Sequence, residues 1–253
     1  MIKKFLLLLF LIPFLAGPAS SQVNIKDTTI RSAMIYATYA YQFPGGNIAD
    51  RFGSNSSIGG GFQYKSLTNW LIGVEGNFLF GGDVKGKDTL LSNISTPEGF
   101  IIDANGMYSE ITFSERGYSV YAKFGKIIPL LAPNPNCGFV ISAGAGYIAH
   151  KMRINIIGDA TPQLKDDYRK GYDRYSNGFS VVGSFGYLFL SNTRLLNFYL
   201  GFDFIQAWTR NRRARDFDTG KHDNTKYSDQ FYSIRACWYI PLYKRSPQKY
   251  YLY

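Results

Sequence analysis

The sequence predicts an all-β fold, an eight-stranded antiparallel transmembrane β-barrel with long extracellular loops and short periplasmic turns. Three observations predict it. Eight segments alternate apolar with small or polar residues at a period of two, the pleat of a strand with two unlike faces. The connections between them alternate long and short. No run after residue 21 approaches the ~18 apolar residues of a spanning helix, so any membrane crossing falls to strands.

The chain of 253 residues carries 20 Tyr, 20 Phe and 26 Gly. Aromatics suit strands and membrane interfaces; Gly suits crowded barrel interiors and turns. That aromatic content excludes a disordered chain.

The N-terminus sets the compartment. Lys3 and Lys4 form a positive region, Phe5 to Leu15 an apolar one, and Ala19-Ser20-Ser21 a small-residue cleavage site. This is a secretory signal, too short to span a bilayer. Residues 1–21 are read as signal peptide, 22–30 as a periplasmic N-terminal segment, 31–243 as an outer-membrane barrel and 244–253 as a periplasmic C-terminal tail. Loss of Lys3 and Lys4 lowers the formal net charge from +10 to +8.

The first strand follows Ile35, Ala37, Tyr39, Tyr41 and Phe43. The second follows Ile58, Gly60, Phe62 and Tyr64, and the third Trp70, Ile72, Val74, Gly76, Phe78 and Phe80. The fourth holds Tyr118, Val120, Ala122 and Phe124; the fifth Phe139, Ile141, Ala143, Ala145 and Tyr147. The sixth runs through Phe179, Val181, Gly183, Phe185, Tyr187 and Phe189, the seventh through Phe198, Leu200, Phe202 and Phe204. The eighth holds Tyr232, Ile234, Ala236, Trp238, Ile240 and Leu242. Connections 44–56, 81–109, 155–177 and 209–229 are long; 67–69, 128–137 and 191–194 are shorter. An even strand number puts both termini in the periplasm, and the long connections then all fall outside.

The apolar parity is almost free of charge, as a hydrocarbon-facing surface must be. The other parity is mostly Gly, Ser, Asn and Tyr, groups that fit a narrow lumen. Gly59-Gly60-Gly61 within the second strand reads as barrel crowding. Five charges fall on the lumen parity: Lys65, Glu75, Lys123, Asp203 and Arg235. Unpaired charge in a closed lumen is costly, so these five are expected to pair into a network that plugs the barrel. The alternative is that one or two sit solvated at the rim. Trp70, Tyr64, Tyr187, Phe189, Trp208, Trp238 and Tyr243 lie near strand ends, where aromatic girdles form.

Candidate chemistry is sparse. Cys137 and Cys237 fall on strands that are not neighbours and read as two unpaired thiols. No CxxC or His/Cys cluster marks a metal site, and no cofactor motif is present. His150 ends the fifth strand on the lumen parity near the outer rim, followed by Lys151-Met152-Arg153 with no Ser in register. His222 lies in Gly220-Lys221-His222-Asp223. A catalytic His needs a nucleophile within hydrogen-bond reach, so a lipid-modifying enzyme is the minor alternative and a non-enzymatic barrel the main reading. A small pore is a further alternative.

Two loops stand out. Arg210, Arg212, Arg213 and Arg215 precede Asp216 and Asp218. From outside they can meet lipopolysaccharide phosphates or a partner, or form a solvated loop with internal salt bridges. Nucleic acid is ill placed as a partner. In the third long loop, Lys165-Asp166-Asp167-Tyr168-Arg169-Lys170-Gly171-Tyr172-Asp173-Arg174, acids and bases balance, consistent with an ordered cap or a solvated surface.

The signal peptide ending before Gln22, the eight Tyr- and Phe-rich strands and the terminal Tyr253 resemble an outer-membrane β-barrel protein of the Bacteroidota. In architecture the chain is similar to small OmpA- or OmpX-type barrels. Phe43-Pro44-Gly45-Gly46-Asn47-Ile48-Ala49-Asp50-Arg51-Phe52-Gly53 and Gly171-Tyr172-Asp173-Arg174 resemble segments of that group. Such barrels commonly end at a C-terminal aromatic, whereas here a ten-residue tail follows the last strand. Some small barrels of these bacteria belong to the type IX secretion and gliding apparatus. The resemblance therefore implies an envelope or secretion-system protein partner.

Overall fold

The structure, a computed structural model, describes residues 28–157, 161–191 and 196–242. The segments expected to be signal peptide (1–21) and tail (244–253), Tyr243 and most of the 191–194 turn lie outside them.

Eight strands form one closed antiparallel barrel: β1 (Ser32–Gly46), β2 (Asn55–Lys65), β3 (Trp70–Gly81), β4 (Glu110–Ile128), β5 (Gly138–Ile157), β6 (Ser176–Leu190), β7 (Asn197–Asn211) and β8 (Lys226–Leu242). Each pairs with its sequence neighbours, and β1 closes on β8. Alternation sets the register, because a one-residue slip would turn every aromatic inward. Outward residues such as Ile58, Ile72, Val74, Val120, Phe202 and Trp238 are more than half exposed. No described helix is long and apolar enough to cross a membrane. This uncharged apolar belt makes the protein a transmembrane β-barrel.

β4 and β5 run well past the belt: their ladder continues from Tyr118↔Ala149 to Glu110↔Ile157. The alternation weakens there, which is why the sequence marks only 118–124 and 139–147.

The lumen is less polar than expected. Near the short turns it is packed by Met34, Leu71, Ile127, Val140, Leu188 and Tyr239. At the other end, long-loop residues Ile48, Phe52, Leu90, Leu91, Ile101 and Leu164 join Ile148, Ile205 and Phe231 in a second buried cluster. A charged layer lies on the inward faces of the strands, among the groups lining the central cavity. The long loops are tied to one another. Gly53 N donates to Asp83 O, Asn93 Nδ2 to Asp218 O and Phe217 N to Gly171 O, at 2.8–2.9 Å. They form an ordered cap.

Candidate functional site

The charged layer is built around Glu75. Its Oε2 accepts from Lys123 Nζ (2.9 Å) and Tyr36 Oη (2.8 Å). Its Oε1 meets Arg235 Nη1 (2.6 Å) and Asn77 Nδ2 (2.8 Å). The same guanidinium pairs with Asp203. Register explains the geometry: Tyr36, Gly61 and Glu75 fall in one row across three strands. A Cβ on Gly61 would lie 2.6 Å from the Tyr36 ring and hydroxyl, so glycine is what lets that tyrosine reach across. A cavity of about 30 Å³ remains among these groups, roughly the volume of one water.

Lys65 is not part of this layer, which corrects the five-member network. Near the end of β2, it pairs in register with Ser32 and Leu71, several rows from Glu75. Its ammonium donates to Ile30 O and Asn136 Oδ1, both at 2.9 Å. It pins the entering chain to the turn between β4 and β5. Cys137, at that turn, and Cys237, in the lumen, are unpaired and buried.

A second buried polar cluster lies beneath the cap. His150 Nε2 is 3.1 Å from Asp229 Oδ2, which also accepts from Thr209 Oγ1 (2.5 Å). Phe52 packs edge-on against the imidazole. Glu115 Oε2 accepts from Asn55 Nδ2 (2.7 Å). Arg51 reaches in from the first long loop, donates to Ser176 Oγ (3.3 Å) and stacks over Tyr227. The His150 side chain is wholly buried, and its bonded partner is a carboxylate. The arrangement can anchor the cap. His222 bonds the Arg213 carbonyl through Nδ1 (2.8 Å) and is exposed.

The four loop arginines do not converge on one site. Arg213 pairs with Asp173, with Nε to Oδ1 at 2.7 Å, and lies over the Tyr175 ring. Arg212 donates to Asn177 Oδ1 (2.6 Å) and Arg215 to Gly220 O (2.7 Å). Arg210 projects outward opposite Lys226. Two of these arginines are spent on the third long loop and β6, and one on a carbonyl of its own loop.

The strongest cationic site is assembled from other segments. A pocket of about 450 Å³ is lined by Arg116, Lys151, Arg153, Arg169, Lys170 and Arg213, with Asp173 as its one carboxylate and Phe78 at its edge. Arg116 comes from β4, Lys151 and Arg153 from β5, Arg169 and Lys170 from the third long loop. The signal that would have found it is a change of residue type along one parity. The outward stripe of β4 passes from Tyr118 to Arg116, and that of β5 from Tyr147 to Lys151 and Arg153.

In the last long loop, burial raises the carboxyl of Asp216 above its ordinary value, against two hydrogen bonds from Asn211 Nδ2 (2.9 Å each). Burial pulls Asp223 the same way, but hydrogen bonds from Tyr227 and Thr225 outweigh it and lower that carboxyl.

No protein-family model matches the chain, and no curated protein matches it. Among solved structures it is similar to Neisserial surface protein A, with 11% identity and TM-score 0.43 over 83% of this chain and 98% of that one. It is similar also to Ail, the attachment invasion locus protein of Yersinia pestis, solved with the heparin analogue sucrose octasulfate, with 11% identity and TM-score 0.42 over 83% and 98% of the two chains.

Proposed function

We propose that this protein is a non-enzymatic outer-membrane barrel whose lumen is plugged and whose working surface is its long-loop end, facing outward. One observation carries the reading. Mid-lumen, a single carboxylate ties β1, β3, β4 and β8 together while the long loops close into a hydrogen-bonded cap above. A path for ions would have to break several charge-assisted bonds in a low-dielectric interior. Against catalysis stands the burial of His150 behind Phe52. The resemblance to Bacteroidota barrels offers a secretion-apparatus protein as one class of partner.

Reconstitution into planar bilayers is expected to give no steady openings. Sustained large conductance from the intact protein would overturn the plugged-lumen reading and favour a pore. H150Q is expected to leave the lipid A and phospholipid profile of the membrane unchanged.

A further inference from the structure

The geometry points to the cationic pocket on the outer wall of β4 and β5 as a binding site for the phosphorylated headgroup of a lipid in the surrounding leaflet. This rests on the outward-facing, membrane-embedded reading above. Three features carry it.

The first is depth. On the outward face, Phe78 and Tyr118 are register partners near the upper edge of the apolar belt; both are about half exposed. The next outward residue on β4 is Arg116, whose partner on β5 is Lys151, and Arg153 follows two residues on. Two residues of strand advance about 7 Å. The first of these cations shares its row with Phe80, so the cluster begins at the upper edge of the aromatics, where hydrocarbon gives way to headgroups.

The second is charge. Besides Lys170, the pocket gathers Arg116, Lys151, Arg153, Arg169 and Arg213, and its one lining carboxylate, Asp173, is taken by Arg213. Arg116 spends one bond on the Glu115 carbonyl (2.7 Å) and Arg169 one on the Leu164 carbonyl (3.1 Å). A guanidinium has five N–H groups in a planar fork, so both keep donors for an anion. Lys151 and Arg153 make no hydrogen bond or ion pair among the described residues. A bound anion relieves repulsion among clustered cations, and Arg-rich forks match phosphate geometry.

The third is shape. The pocket is concave and walled on one side by the strands and on the other by the third and fourth long loops. Met152 N bonds the Asp173 carbonyl (2.8 Å), fixing the loop wall to the barrel wall. Phe78 borders the pocket on its apolar side. A free soluble anion would use the charges but not that border, whereas a lipid uses both.

The test takes the full-length barrel in detergent. Native mass spectrometry counts bound bis-phosphorylated lipid A, dephosphorylated lipid A, inorganic phosphate and a sulfated oligosaccharide. Wild type is expected to retain the phosphorylated lipid about tenfold better than its dephosphorylated form. The R116Q/K151Q/R153Q variant is expected to lose about tenfold, the combined weight of three exposed charge contacts, with heat-modifiable migration showing an intact barrel. R210Q/R215Q should bind as wild type does. Equal retention of both lipids, or undiminished binding by the triple variant, would overturn the site. Stronger capture of inorganic phosphate or of the sulfated oligosaccharide by the same residues would overturn the lipid assignment. Conductance reads different residues, so failure here leaves the closed lumen standing.

Discussion

Two glutamates in this barrel are equally buried and differently treated. Glu75, in the lumen layer, is 2% exposed, and Glu115, beneath the cap, is fully buried. Glu75 is met by four groups, two of them cations. Glu115 accepts one bond from a neutral amide, and its Oε1 has no partner. Around it, among the described residues, His150 Nδ1, Asp229 Oδ1 and Arg51 Nε and Nη2 also lack partners. The lumen layer also holds unmatched atoms, Asn77 Oδ1, Asp203 Oδ1 and Tyr199 Oη among them, so the contrast lies in the carboxylates themselves: Glu75 is tied to two cations and Glu115 to none, and a buried carboxylate left half-matched costs free energy. The lumen layer is thus a rigid strut and the cluster beneath the cap a softer joint, between a wall of strands and the loops that move first when a protein opens locally.

The same substitution at both positions tests that contrast, and the larger effect belongs to the lumen. E75Q removes the ion-pair partner of Lys123 and half of the partner set of Arg235 while keeping the side-chain shape. Leaving a buried cation uncompensated costs about 3–5 kcal/mol. Urea unfolding in detergent is expected to show that loss, together with leakier bilayers in conductance recordings. E75Q unfolding at the wild-type midpoint would dissolve the distinction between strut and joint.

E115Q is the counterpart. The amide keeps an acceptor for Asn55 and adds an N–H beside Asp229, whose Oδ1 has no partner among the described residues. It also removes the repulsion between Glu115 and Asp229. Stability is expected to stay within about 1 kcal/mol of wild type. A loss as large as that of E75Q would show that Arg51, which attracts Glu115 electrostatically, is holding that carboxylate in place.

These two sites were not equally legible in the sequence. Glu75, Lys123, Asp203 and Arg235 sit near strand centres on the lumen parity, where a charge has no solvent to reach, so pairing follows from alternation alone. Lys65 shares their parity, but its row depends on the stagger of β1 and β2, which single-strand periodicity does not contain. The cap was harder to see. Ile48, Phe52, Leu90, Leu91, Ile101 and Leu164 are isolated apolar residues in polar loops, and only non-local packing makes them one cluster. The cationic pocket was hidden for the same reason. Counting charge along the third loop gives balance, whereas the fold turns Asp173 to Arg213 and stands Arg169 and Lys170 beside a strand wall.

The smallest expected effect sharpens the comparison from the loop side, where burial acts on a carboxylate without a strut around it. Asp216 bonds only to the amide of Asn211, and its carboxyl is raised by burial. A group whose folded value is raised binds its proton more tightly in the folded state. Ionisation therefore costs the folded loop stability at neutral pH, and that cost fades as pH falls towards the unfolded value of a carboxyl, about 3.9. D216N mimics the protonated form and keeps an acceptor for Asn211. It should be slightly more stable than wild type at pH 7, with the gap in thermal unfolding midpoint closing towards pH 4. Asp223, lowered by Tyr227 and Thr225, runs the other way, so D223N should lose stability at pH 7 and converge on wild type in acid. If both variants shifted in the same direction with pH, net loop charge would be controlling the cap, and the bond-by-bond contrast between the lumen strut and the joint beneath the cap would not extend to its loops.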